Sequence, residues 1–255
     1  MDKVKKIISK ILTAYESICI KNLSLFIRDF IKFYILYWNS KSKRFEFNLL
    51  SLYPCLCDKS KNTNFDRHYI YHTAWAARAI SKISPKRHID MSSILYFSTM
   101  LSAFVPVSFF DYRPANINLD GLDTGRVDLT SLKFKSNSIH SLSCMHTIEH
   151  IGLGRYGDKL DINGDLKAIS ELKRVLARQG SLLLVVPIAG KPRIMFNAHR
   201  IYSYQQIIDY FFGLSLKEFV LIPEDPKDGD LVKNPQKALL EKQKYGCGCF
   251  WFSKK

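Results

Sequence analysis

From residue 66 onward short apolar runs alternate with helical stretches, and this alternation limits the chain to few folds. Asp66 is placed to cap a helix to about Ile83, where Pro85 stops it. Strands are predicted at His88–Asp90, Val107–Asp111, Val127–Leu129, Ile139–Cys144, Ser181–Pro187, Leu216–Ile222 and Cys247–Ser253. Helices are predicted at 94–103, 165–178 and 203–212, with a charged loop at 223–245. Strands separated by helices imply an open, mostly parallel α/β sheet covered on both faces. In such sheets ligands lie outside the carboxyl ends of the strands. That points to Asp90–Ser93, Asp111–Tyr112, Asp128–Leu129, Cys144–His146 and Pro187–Ala189.

The 255 residues suit one catalytic-sized domain with an extension, expected as a helical segment at 1–60 before an α/β domain at 61–255. Val4, Ile7, Ile8, Ile11, Leu12, Tyr15, Ile18 and Cys19 recur at helical spacing among lysines. A second helical stretch, Leu23–Trp38, carries Arg28, Asp29 and Lys32, and its longest apolar run is too short to span a bilayer. Residues 1–50 hold ten Lys and Arg against four acidic residues. Such a segment suits either a peripheral helix on an anionic membrane or a helix packed on the domain behind it.

The net charge of +15 favours anionic partners, but no nucleic-acid-binding pattern is present, and none is expected to bind. Six cysteines without a secretory signal suit reduced thiols in the cytoplasm. The pairs Cys55/Cys57 and Cys247/Cys249 are spaced less typically for zinc than C-x2-C, so small residues alternating across strands is the preferred reading. The first glycine is Gly121, which excludes a glycine-rich phosphate loop from nearly half the chain.

The stretch Ser141–Gly152, followed by Asp165–Pro187 with its Leu-Lys-Arg-Val-Leu-Ala-Arg-Gln-Gly core, resembles the fourth strand, helix and fifth strand of class I methyltransferases that use S-adenosylmethionine. More narrowly, His88–Ser93, Phe110–Asn116, His150–Asp158 and Phe196–Tyr202 resemble the uncharacterised family called domain of unknown function 268. The resemblance runs from residue 66 to about 222 and leaves residues 1–50 outside. It implies a Rossmann-like fold, S-adenosylmethionine as cofactor, and an acceptor in surface-polysaccharide synthesis, such as a nucleotide-linked or lipid-linked glycan.

By that resemblance Asp90, Ser92, Ser93, Asp111, Tyr112, Asp128, Leu129 and Cys144 fall at cofactor positions. Asp111 would accept the ribose hydroxyls, and Asp128 and Leu129 would meet adenine. The first loop departs from the family pattern: Met91-Ser92-Ser93 stands where glycines usually let the backbone approach the cofactor. His146, Glu149 and His150 are the candidate catalytic groups, because a neutral imidazole deprotonates a hydroxyl as methyl transfer proceeds. Arg155, Asn197, His199 and Arg200 are candidate substrate contacts.

His146-x-x-Glu149-His150 also fits the H-x-x-E-H zinc-hydrolase pattern, which needs both histidines on one continuous helix. The strand directly before His146 argues against that helix, and no metal is expected. Missing first-loop glycines leave open a module that binds without catalysing. The overall expectation is a methyltransferase-like protein in the cytoplasm or at the inner membrane face.

Overall fold

The computed structural model describes residues 2–255, with side chains from Lys21 onward. The stripe expected from Val4 to Cys19 therefore has its side chains outside the described residues. The chain forms two compact units, residues 1–64 and 65–255.

In the first unit the two predicted helices are one, α1 (Asp2–Asn39), since no glycine or proline separates them. Its last turns expose Phe33, Leu36 and Trp38, and the segment after it exposes Phe45, Leu50 and Tyr53. Among the described residues no helix is long and apolar enough to cross a membrane.

The second unit opens with α2 (Arg67–Ile83), whose first turn is capped by the Asp66 carboxylate accepting from Tyr69 N at 3.2 Å. Then follow β1 (His88–Met91), α3 (Leu95–Leu101), β2 (Val107–Asp111), β3 (Leu122–Arg126) and β4 (Ile139–Met145). A three-residue turn, Ile148–His150, leads to α4 (Gly164–Val175) and the long strand β5 (Leu176–Ile188). A small hairpin, β6 (Arg193–Met195) and β7 (His199–Ile201), precedes α5 (Tyr204–Tyr210) and β8 (Leu214–Ile222). Within the expected charged loop lie β9 (Val232–Lys233) and α6 (Lys237–Lys242), before β10 (Gly246–Lys254).

Eight strands form one sheet in the order β3-β2-β1-β4-β5-β10-β8-β9. The first five pair in parallel, while β10 runs antiparallel to both β5 and β8. β5 shows why its sequence reads as an unbroken apolar run. Leu182, Leu184 and Val186 pack with Leu172 of α4 and Ile207 of α5, whereas Leu183 and Val185 pack with Trp75 and Ala79 of α2.

Two further elements differ in their bounds from the sequence reading. β3 occupies 122–126, ahead of the predicted 127–129, because Leu122-Asp-Thr-Gly-Arg126 has little apolar alternation. Gly125 is needed there: a Cβ would stand 2.7 Å from the ring of Phe110 on β2. α4 ends at Val175, where Leu176 turns extended and joins the next strand early.

β1 is bound to its neighbours by buried polar groups. The Asp90 carboxylate, fully buried, accepts from the Ser143 hydroxyl of β4 at 2.6 Å and from the Ser98 hydroxyl of α3. Ser143 has one hydrogen, given to Asp90, so His88 Nε2–H donates to it at 2.8 Å, and Ser141 donates to Nδ1 at 2.8 Å. Burial pushes the His88 imidazole down to about 3, so it is neutral, and burial raises the Asp90 carboxyl against the serine hydroxyls around it. Replacing Ser143 by Ala leaves partners unpaired on both sides, and this should cost about 1–3 kcal/mol. Urea unfolding measures it; an unchanged midpoint would show the network is dispensable.

Candidate functional site

The site lies at the carboxyl ends of β1, β2 and β4, where the strand order reverses across β1 and β4. Ser92, following β1, takes a left-handed conformation with φ 60°. This is the backbone shape that glycine would supply at no steric cost, and here a serine adopts it. Ser92 is tied down on both sides: its N–H and its hydroxyl donate to Phe110 O at 2.7 and 3.0 Å. Thr147, beyond β4, reaches Ser92 O at 3.1 Å and Met91 O at 3.2 Å with its hydroxyl.

Beside this turn is a cavity of about 600 Å³, within the usual size for a small-molecule site. Of the candidate cofactor residues, Ser92, Asp111, Tyr112, Asp128 and Leu129 line it. Asp111 Oδ1 accepts from Arg113 N at 2.7 Å, and Asp128 Oδ1 accepts from Thr130 N and Oγ1 at 2.8 and 2.7 Å. Each carboxylate thus steadies its own loop through Oδ1. Ser93 and Cys144 are buried and Asp90 is committed to its serines, so none of the three lines the cavity. Burial raises the Cys144 thiol far above its ordinary range, as expected of a core cysteine.

A second cavity of about 550 Å³ shares His146, His150 and Tyr156 with the first. Glu149, Arg155 and His199 also line it. His150 Nδ1 faces Ala198 O at 2.6 Å, which holds the proton on Nδ1 and leaves the Nε2 lone pair free. Arg155 donates to Ala198 O at 3.1 Å. Asn197 is exposed and lines neither cavity. Arg200 is a buried structural group: it donates to Ile151 O at 2.6 Å and Ile162 O at 3.2 Å and stands 3.6 Å from Asp165. Asp158 is likewise taken by its own loop, accepting from Gly152 N at 2.7 Å and Tyr156 N at 3.2 Å. Gly152, at φ 81°, closes that loop where a Cβ would meet Asp161 O at 2.0 Å.

The single helix needed by the H-x-x-E-H pattern is not formed. His146 precedes the turn at φ 54°, and only Ile148–His150 is helical. His146 Nδ1 instead meets Glu149 Oε1 at 3.0 Å, and its Nε2 lies 3.5 Å from Cys247 Sγ. Burial pushes His146 down, but Cys247 and Glu149 outweigh it and its pKa rises. Burial raises the Cys247 thiol in turn, against the pull of His146, which lowers it. Rings of His68, Tyr69 and His72 from α2 surround His146, with His72 at 5.0 Å between ring centroids. Burial lowers His68 to about 4 and His72 to about 3. His68, Tyr69 and Tyr245 are site residues that the sequence reading passed over. A capped amphipathic helix and the loop before a terminal strand carry no local sign of convergence on one cavity.

Residues 128–240 match the family described as Caenorhabditis protein of unknown function, DUF268. This is the family that the sequence resembles. No curated protein matches the chain. Among solved structures, the 1,6-didemethyltoxoflavin-N1-methyltransferase of Burkholderia thailandensis, with bound 1,6-didemethyltoxoflavin and S-adenosylhomocysteine, is 10% identical. The likeness covers 72% of this chain and 78% of that one, at a TM-score of 0.51. A putative sarcosine dimethylglycine methyltransferase of Galdieria sulphuraria is 12% identical over 73% of this chain and 86% of its own, also at 0.51. Such identities establish the fold, which is the Rossmann-like methyltransferase fold expected from the sequence.

If Ser92 fills the place of a glycine, Ser92→Gly should leave stability within about 1 kcal/mol, whereas the β-branched Ser92→Val should lose about 2 kcal/mol or more. Chemical denaturation of the two variants decides; equal effects would mean that the left-handed turn is not what the position requires.

Proposed function

We propose that residues 65–255 bind S-adenosylmethionine in the larger cavity and methylate a hydroxyl of a sugar or glycan held in the smaller one. The observation that carries this reading is that the two cavities share His146, His150 and Tyr156 in their walls, with Ser92, Asp111 and Asp128 around the larger. The residues present suit the cofactor. Asp111 retains Oδ2 for ribose hydroxyls, Asp128 and Leu129 suit the adenine edge and ring, and Ser92 turns the backbone without a glycine. The cofactor supplies a methyl group on a sulfonium, open to direct displacement.

The chain's own task is to hold the acceptor and take its proton. His150 presents the Nε2 lone pair, so the hydroxyl proton passes to that atom as the oxygen attacks. Glu149 and His146 flank the same boundary and orient the acceptor, while Arg155 and His199 suit its anionic or hydroxyl groups. The absent glycines motivated a non-catalytic module; the left-handed turn at Ser92 supports the catalytic reading instead.

Isothermal titration of the full chain with S-adenosylmethionine should show saturable binding. Asp111→Ala should weaken it about tenfold or more, the worth of a charge-assisted hydrogen bond. No heat at millimolar cofactor would overturn the reading, and binding with no methyl acceptor among sugar nucleotides and lipid-linked glycans would restrict it to a binding module.

For the first unit we propose contact with an anionic membrane surface. Exposed Phe33, Leu36 and Trp38 offer insertion, and Lys41, Lys43 and Arg44 offer charge complementarity. A basic residue near such a surface contributes about 1 kcal/mol, so reversing these three should weaken sedimentation with anionic vesicles by about a hundredfold or more. Equal sedimentation with neutral vesicles would rule the contact out.

A further inference from the structure

His68 at the start of α2, His146 after β4 and Cys247 at the start of β10 come together from distant parts of the second unit. One ligand-capable atom from each lies within 4.8 Å of the other two. His146 Nε2 and Cys247 Sγ are 3.5 Å apart, and two such ligands on one tetrahedral zinc ion also stand about 3.5 Å apart, given bonds of about 2.0 and 2.3 Å.

Behind the cluster, Glu149 engages the other nitrogen of His146 at 3.0 Å. A carboxylate in that position orients a metal-bound imidazole and makes it a better donor. Glu149 is 1% exposed, and its Oε2 has no hydrogen-bond partner among the described residues, an unsatisfied buried acceptor next to the cluster. Cys247 closes the inner side, fully buried, while His68 and His146 line the smaller cavity.

We propose that His68, His146 and Cys247 hold a divalent transition-metal ion whose fourth position opens to the smaller cavity. Mixed imidazole and thiolate donors select zinc among abundant divalent ions, and three protein ligands with one open position are the mark of a reactive rather than a purely structural zinc site. The ligand set takes His146 from the H-x-x-E-H sequence but leaves out His150, whose Nδ1 belongs to Ala198 O. Glu149 stands behind the metal. The open position takes a water molecule or an oxygen of whatever occupies the smaller cavity, so the site does not depend on what fills the larger one.

Cobalt(II) alone is the probe. The full chain, stripped by chelator and kept reduced with a phosphine, should bind one equivalent and develop a near-ultraviolet sulfur-to-cobalt band with visible bands of tetrahedral cobalt. Cys247→Ser should abolish the sulfur band, and His68→Ala should weaken cobalt binding at least tenfold. A Cys55→Ser/Cys57→Ser double variant should change neither. Absence of the band in the wild type, or its survival in Cys247→Ser, overturns the site. Should Cys247→Ser fail to fold, the part-exposed His68 decides: unchanged cobalt affinity in His68→Ala overturns it equally.

Discussion

The buried carboxylate of Asp90 is the constraint on which the site depends. β1 sits at the reversal of strand order, with β2 on one side and β4 on the other, and a crevice opens there only if the neighbouring strand ends diverge. Asp90 links three elements at that point, through Ser143 of β4, Ser98 of α3 and its own strand. A charge-capable group without water is costly unless it is fully bonded, so the three elements share one arrangement. From it follow the direction in which the chain leaves β1, the turn at Ser92 and the reach of Thr147 across the gap. Asp90 therefore shapes the ligand crevice without lining it.

This explains how far the sequence could be read. Strands buried on both faces, such as β5, announce themselves as apolar runs, and α2 announces itself by its cap and period. β3 does not, because its Asp-Thr-Gly-Arg run is polar and pairs with β2 partly through a glycine lying under Phe110. In the site, Asp111, Asp128 and Leu129 were legible because each lies at or just beyond the carboxyl end of a strand, and position alone brings such residues to the crevice. Asp90, near the end of β1, and Arg200, in the hairpin beyond β5, were read in the same way, yet both are buried and bonded inside the protein. Residue type and position do not reveal whether a side chain turns toward the ligand or toward its own scaffold. His68 and Tyr245 were illegible for the opposite reason, since only the tertiary fold brings them together at the smaller cavity.

The glycine-free first half of the chain shows a related substitution of means. A left-handed residue costs roughly 1–2 kcal/mol without glycine, so it persists only where surrounding bonds over-determine it. Ser92 has two bonds to Phe110 O, and Thr147 holds its carbonyl. The family pattern achieves the turn by removing a side chain; this chain achieves it by fastening one.

His146 carries the same conformation, and its effect can be traced through the sheet. Along β4, Cys144 packs on the side of α4 and α5, and Met145 on the side of α2 and α3. Regular alternation would return residue 146 to the side of Cys144. Instead its ring lies against His68, Tyr69 and His72 of α2, on the side of Met145, with Cys247 also within reach. The left-handed φ of 54° breaks the alternation at the first residue beyond the strand. Two consecutive residues thereby face α2, one closing the core and one opening the site. The strain is placed where it converts a structural strand into a wall of titratable groups between the two cavities, and the bonds to Glu149 and Cys247 keep it there.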